Sequence, residues 1–351
     1  MKKSILNMRK TEIVKNPELL LKFLQKNGMP NLEGIVLKEK LSHHHFQNKE
    51  SGLLDYIFIE NQTEKRVCGF FSSKKKFQGL MNKKIFLYKL KEYGFNKDAI
   101  RIPEIIDFYS KINLLLRERI EGETILQIMQ DKKPLNKAVQ GASQWAFRLH
   151  SLKPEKKFFT SMFKMNKKNF PFYLKQIKEN YPEKLKQIKE TLSLIQKTVK
   201  TCENNRLFHG DFQPQNIIHN KGITTGFDFD ASGIGDPMSD IGNFLLQFDY
   251  RAYTLFPEKK IIKLKEVFLN SYEGRIDEKR VNIYQAKYAI QRAIFLMGAL
   301  KENRSKALRE TIENLLQKAE NSIEKKEIDL TIYPYTHNIA DVITLKKKLR
   351  S

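Results

Sequence analysis

Residues 207–216 read LFHGDFQPQN, with His209, Asp211 and Asn216 inside eight positions, and residues 226–240 read GFDFDASGIGDPMSD, with four aspartates in fifteen. A carboxylate can orient a hydroxyl group and accept its proton. Amide and carboxylate oxygens are hard ligands suited to Mg2+. Pro214 stands between Asp211 and Asn216 and opposes a regular helix, so this stretch reads as a shaped loop running into the strand NIIH. Asn220-Lys221-Gly222 then marks a hairpin turn, and TTGFDF is the returning strand. Strand alternation predicts Asp228 and Asp230 on one face, with Phe227 and Phe229 on the other. The hairpin would return Asp228 to the start of the first strand, where Asp211, Asn216 and Asp228 can converge. Each of these residues taken singly is an ordinary turn residue or cap; their order and spacing carry the reading.

The elements needed to position that group divide the chain in two. Asn16-Pro17 reads as a cap and first helical position for PELLLKFLQKN, which stops at Gly28. GIVLKEKL, LLDYIFIE and RVCGFFSS are β-rich runs between polar loops, KKIFLYKLKEYG has helical spacing, and EIIDFYS and INLLLRERI add two strands. The order β-β-β-α-β-β describes a small antiparallel sheet lobe over residues 1–120. From 121 to 351 helices dominate, at 123–130, 135–151, about 165–180, 182–201, 237–248, 257–272, 277–302 and 305–323, with the hairpin set among them. Asp236-Pro237 reads as the start of the helix holding Asp240. Trp145 and the run AIFLMGAL at 293–300 read as core.

The apolar fraction of 40% and 24 Phe can fill a core. No apolar run approaches the roughly 20 residues needed to span a bilayer, and the first residues lack the apolar stretch of a secretion signal. Two distant cysteines, Cys68 and Cys202, fit a reducing compartment, so a cytoplasmic location is expected. The net charge of +24 is uneven: residues 153–200 hold 13 Lys against 4 Glu. Such an excess attracts polyanions, nucleic acid or an anionic membrane surface among them, and repels polycations; lysine-rich solvated helix faces are the plainer explanation. No RNA-binding signature accompanies it. His43-His44-His45 reads as an exposed loop, with phosphate contact as an alternative, because adjacent strand residues face opposite ways and seldom bind one metal ion.

HGDFQPQNII followed by FDFDASGIGDPMSDIGNF resembles the aminoglycoside phosphotransferase and choline kinase family. LLLRERIEGETI is similar to that family's hinge strand, and ASQWAFRLHSL to the helix that precedes its substrate helices. The resemblance spans roughly residues 80–250. It implies an α+β, protein-kinase-like fold of two lobes, the first covering a nucleotide and the second holding a catalytic hairpin, metal site and substrate helices. It implies phosphoryl transfer from ATP (or GTP) with Mg2+ to a hydroxyl of a small molecule: an amino alcohol, a sugar, an aminoglycoside or a related metabolite. Asp211 would then be the catalytic aspartate, and Asn216 and Asp228 the magnesium ligands. His209 and Asp240 would support the loop, and Asp230 would be a weaker candidate near the metal.

The first lobe departs from this pattern. RVCGFFSS has no lysine within it, SHHHFQNKESG stands where a glycine-rich turn is expected, and Lys83 and Lys84 occupy the place of a helix glutamate. Lys65 and Arg66, at the start of that strand, are the candidates for phosphate contact, with Lys74, Lys75 and Lys76 beyond it. The missing lysine–glutamate pair motivates an alternative, a kinase-like scaffold with weak or absent catalysis. A third reading, docking on nucleic acid or membrane, predicts steep salt dependence and indifference to Asp211.

Overall fold

The computed structural model describes residues 10–41, 52–71, 86–96, 98–154, 169–201, 206–300 and 305–335. His43, His44, His45, Lys74, Lys75, Lys76, Lys83, Lys84 and Cys202 lie outside them. The fold is α+β, in two compact units, Met1–Glu121 and Gly122–Ser351.

The first unit is built on a five-stranded antiparallel sheet in the spatial order Leu32–Leu41, Gly52–Glu60, Thr63–Phe71, Leu114–Glu118, Ile105–Tyr109. Asn61 and Gln62, both at positive φ, turn the second strand into the third, with Glu60 opposite Thr63. Helix Pro17–Lys26 starts where expected, its cap Asn16 accepting from the Leu19 amide at 3.1 Å. Leu20, Phe23 and Leu24 of this helix join Tyr56, Val67, Leu114 and Leu116 of the sheet in one core. The preceding helix, Lys10–Lys15, was not anticipated; the Tyr56 hydroxyl donates to the Val14 carbonyl at 2.5 Å and ties it to the sheet. The third strand begins at Thr63, so Lys65 and Arg66 fall inside it, not at its start. Both are exposed; Arg66 pairs with buried Asp55, which Arg119 also approaches at 3.6 Å.

In the second unit the hairpin strands Ile217–Asn220 and Ile223–Gly226 pair antiparallel. Lys221 (φ 47°) and Gly222 (φ 86°) form the two-residue turn, whose paired positive φ values match strand twist. Glu123 and Thr124 were expected to open a helix. They form a short strand beside His219 and Ile218, and Thr124 caps the helix Ile125–Gln130 in a reciprocal box with Gln127. Helix Asn136–Ser151 packs on the hairpin through Trp145, which leaves no room for a side chain at 226: a Cβ on Gly226 would stand 2.3 Å from the indole. A second ribbon, Arg206–Phe208 with Gly233–Gly235, was missed because three-residue strands carry no periodicity. Helices Met238–Ala252 and Glu278–Leu300 form the buried centre, with Glu258–Asn270 and Lys306–Glu324 outside them. Among the described residues no helix is long and apolar enough to cross a membrane.

The stretch after Lys306–Glu324 is held by buried charge. Lys318 Nζ meets the Asp329 carboxylate at 2.8 Å and the carbonyls of Asp329 and Thr331 at 3.0 and 3.1 Å. Lys265 Nζ pairs with Asp249 at 2.8 Å and donates to the Leu330 carbonyl at 3.1 Å. Burial acts to raise the Asp329 carboxyl, but Lys318, with the donors Lys325 and Thr331, outweighs it and holds the group well below the usual carboxylate range. Asp329→Ala is expected to cost about 3 kcal/mol at neutral pH, because it strands a buried ammonium. A depressed carboxylate stabilises fully above its unfolded value and less as pH falls toward its folded one. The native protein should therefore lose urea resistance below about pH 4 more steeply than the variant.

Candidate active site

Asp211 sits on a loop that can close only because residue 210 is glycine. Gly210 has φ +80°, and a Cβ there would lie 2.1 Å from the Ala231 carbonyl oxygen. The loop is held from three sides. Buried Asp240 accepts from the His209 amide at 2.6 Å and the Gly210 amide at 2.8 Å. The Ser232 hydroxyl donates to the His209 carbonyl at 2.8 Å. The His209 ring donates from Nε2 to the Phe227 carbonyl at 2.9 Å and accepts at Nδ1 from the Asp211 amide at 3.3 Å, which sets its tautomer. That ring lies among Trp145, Phe212 and Phe229, at centroid distances of 5.7, 5.9 and 5.0 Å.

Pro214–Asn216 is a single 3-10 turn, the departure from regular helix that Pro214 implied. It brings Asn216 back onto Asp211: Asn216 Nδ2 donates to the Asp211 carbonyl at 2.8 Å and to Oδ2 at 3.0 Å, while Gln213 Nε2 donates to Oδ1 at 2.8 Å. Burial raises the Asp211 carboxyl above the ordinary carboxylate range, and the neighbouring Asp228 carboxylate adds to this; His209 and the two amide donors offset part of it. A half-desolvated carboxylate with defined orientation is suited to receiving a proton.

The strand expected to carry Asp228 and Asp230 ends at Gly226. Asp228 is left-handed (φ 67°, ψ 63°), and Phe229–Ala231 is a 3-10 turn, so the predicted face shared by the two aspartates does not exist. The cause is tertiary: Phe229 turns inward onto His209 and Trp145. The Phe227 amide still donates to the Asn216 carbonyl at 3.1 Å, so Asp228, which is exposed, follows directly on a backbone contact to Asn216. Asp230 is also exposed. Among the described residues no three His, Cys, Asp or Glu form a ready metal cage. A magnesium ion completed by phosphates and water needs only one or two protein ligands. With Nδ2 of Asn216 committed to Asp211, its Oδ1 and the Asp228 carboxylate are a donor set that fits.

Helix Met238–Ala252 touches the loop on both sides of Asp211: Asp240 grips residues 209 and 210, and Arg251 Nη2 donates to Gln215 Oε1 at 3.2 Å. Asp236, two positions before the first residue of this helix, accepts from the Met238 amide at 3.1 Å. Asp240 also meets His150 Nε2 at 3.0 Å, and His150 Nδ1 meets the Tyr272 hydroxyl at 2.9 Å. Tyr272, Arg251, Arg292 and Tyr288 were not singled out from the sequence. The available signal was polar side chains at three- and four-residue spacing (Asp240, Asn243, Gln247, Arg251) on a helix otherwise apolar enough to be core.

A family model described as Phosphotransferase enzyme family (APH) matches residues 54–281, well over half of the chain. No curated protein sequence matches. Among solved structures the fold is similar to that of a choline/ethanolamine kinase family protein from Mesorhizobium loti (TM-score 0.55, 15% identity, 92% of this chain and 96% of that one). It is also similar to an amicoumacin kinase, hAmiN, in complex with AMP-PNP, Ca2+ and Ami (TM-score 0.54, 12% identity, 92% and 99% covered). A third likeness is to APH(2")-IIa in a ternary complex with streptomycin and ATP (TM-score 0.52, 13% identity, 89% and 97% covered). At these identities the likeness is one of fold.

Proposed function

Because the chain belongs to the phosphotransferase enzyme family, we propose that it moves the γ-phosphoryl group of ATP, with Mg2+, onto a hydroxyl of a small molecule. The observation that carries this reading is the Asp211 carboxylate, desolvated and oriented by two amide donors on a loop anchored through its backbone. In the reaction the acceptor oxygen forms a bond to phosphorus as the bond from phosphorus to the leaving nucleoside diphosphate breaks. The hydroxyl proton passes to Asp211. Phosphoryl transfer asks mainly for positioning and charge neutralisation, and the loop supplies the first. Asn216 and Asp228 would hold Mg2+, which supplies the second when bound. His209 and Asp240 act at one remove, by fixing the backbone that presents Asp211. The relatives solved with ATP and AMP-PNP support ATP as donor, with GTP as the alternative.

In the first unit Lys65 and Arg66 are the proposed phosphate contacts. Arg66 is already engaged by Asp55, so Lys65 is the better of the two. Lys65→Ala should raise KM for ATP several-fold with little change in melting temperature; an unchanged KM removes Lys65 from the site.

Asp228→Asn tests the metal assignment without disturbing the backbone, since asparagine tolerates the left-handed conformation that residue 228 adopts. It should fold as the native protein does, lose about 100-fold in turnover and need a higher Mg2+ concentration for half-maximal rate. An unaltered magnesium dependence would remove Asp228 from the metal site. A catalytically inert scaffold would instead show no magnesium-dependent thermal shift with ATP and no Asp211-dependent ATP consumption with any hydroxylated acceptor.

A further inference from the structure

Two arginines, on helices Met238–Ala252 and Glu278–Leu300, have no carboxylate in contact among the described residues. Arg251, in the last turn of Met238–Ala252, donates to Gln215 Oε1 at 3.2 Å. Arg292, on Glu278–Leu300, donates to Gln247 Oε1 at 2.6 Å and lies over the rings of Tyr250 and Phe295 at 5.5 and 5.9 Å. Neutral amide oxygens are thus their only hydrogen-bond acceptors among the described residues. Gln247, which Arg292 holds, stands one turn before Arg251 on the same helix, so both guanidiniums come to that end of it; burial and then Arg292 push Arg251 down to about 10, and burial also depresses Arg292. A guanidinium does not escape this cost by losing its proton near neutral pH. Among the described residues, the carboxylate whose charge acts on Arg292 is Asp211. Tyr288, one turn before Arg292, feels the same carboxylate and shares a hydrogen bond with Ser239 at 2.9 Å.

Desolvated positive charge without an ion pair costs stability unless a counter-charge arrives with a ligand. Guanidiniums recognise phosphate and carboxylate through paired N–H donors. Gln215 ties Arg251 to the loop four residues from Asp211, so an anion held here would stand near the group that receives the acceptor's proton. Cationic acceptors would meet the opposite field.

We propose that Arg251 and Arg292 form a recognition site for an anionic group, a phosphate or a carboxylate, carried by the hydroxyl acceptor. The substrate class is therefore a hydroxylated phosphate ester or hydroxy acid, not a polyamine-like aminoglycoside or an amino alcohol. This rests on the phosphotransferase reading for the identity of the acceptor, but the anion site can be tested without turnover.

The experiment titrates inorganic phosphate into the full chain saturated with Mg2+ and AMP-PNP and reads the melting temperature. Native protein and Asp211→Asn should both be stabilised, the variant at least as strongly because a negative charge has gone. Arg251→Gln and Arg292→Gln should bind phosphate at least 10-fold more weakly, and Arg292→Lys, which keeps charge and bulk, should fall between. An equal response in the arginine variants overturns the proposal. So does a response present in the free protein and abolished by AMP-PNP, which would assign the arginines to the nucleotide. In parallel, Asp211-dependent ATP consumption is compared for glycerol 3-phosphate, ribose 5-phosphate and glycerate against glycerol, ribose, choline and kanamycin. Turnover confined to the anionic set is expected, and turnover confined to the cationic or neutral set overturns the proposal. Failure of every acceptor alongside an intact phosphate response counts against the phosphotransferase reading and leaves the anion site standing.

Discussion

Asp211→Asn is expected to lower phosphoryl transfer by about 10³-fold while leaving the melting temperature nearly unchanged. The substitution keeps the shape that Gln213 and Asn216 enclose and removes the ability to receive a proton. Of its two carboxylate oxygens, one accepts from Gln213 and the other from Asn216. The amide retains one acceptor, so one hydrogen bond worth about 1 kcal/mol is lost. Against that, the native carboxylate is desolvated and lies near Asp228, and both effects disfavour its charge. The two contributions oppose each other, and the net change in stability should stay within about 1 kcal/mol. Turnover and urea midpoint measured on the same preparation separate the effects. Residual activity above a tenth of native would show that Asp211 does not handle the proton.

Asp240→Ala should be the most destabilising single change near the site, at about 3–5 kcal/mol, and should abolish turnover as well. The carboxylate satisfies two loop amides and meets His150 in surroundings closed to water. Alanine leaves those donors buried without acceptors, each costing about 1–3 kcal/mol. Helix Met238–Ala252 would then have no grip on residues 209 and 210, and the left-handed turn at Gly210 would lose its restraint. Asp240→Asn, which keeps one acceptor, should retain more stability and show a fall in kcat with little change in KM, the signature of a positioning group. A loss below 1 kcal/mol for the alanine variant would mean that the loop is held by Ser232 and His209 alone.

Much of the site was legible in the sequence because its parts are local. The hairpin follows from two turn residues at positive φ between short β-rich runs, the loop from Pro214, and the convergence of Asp211 and Asn216 from five-residue spacing. The first unit was equally readable, since its strands are long enough to show periodicity and Asn16-Pro17 marks its helix. What alternation could not supply was the end of the returning strand. Phe229 is drawn into the aromatic cluster of Trp145 and His209, and that packing breaks the strand at Gly226 and turns Asp228 left-handed.

The chain's own residues therefore specified the loop, the hairpin and the contact between Asp211 and Asn216, because turn residues and short-range spacing act within a few positions. Only tertiary packing decided the support and the charge around them. Asp240 reaches back about thirty residues to hold His209 and Gly210, the strand Gly233–Gly235 returns to Arg206–Phe208, and Arg292 reaches Gln247 from a helix far along the chain. Such contacts follow from how apolar faces bury against one another across long separations, and spacing along the sequence carries no record of them.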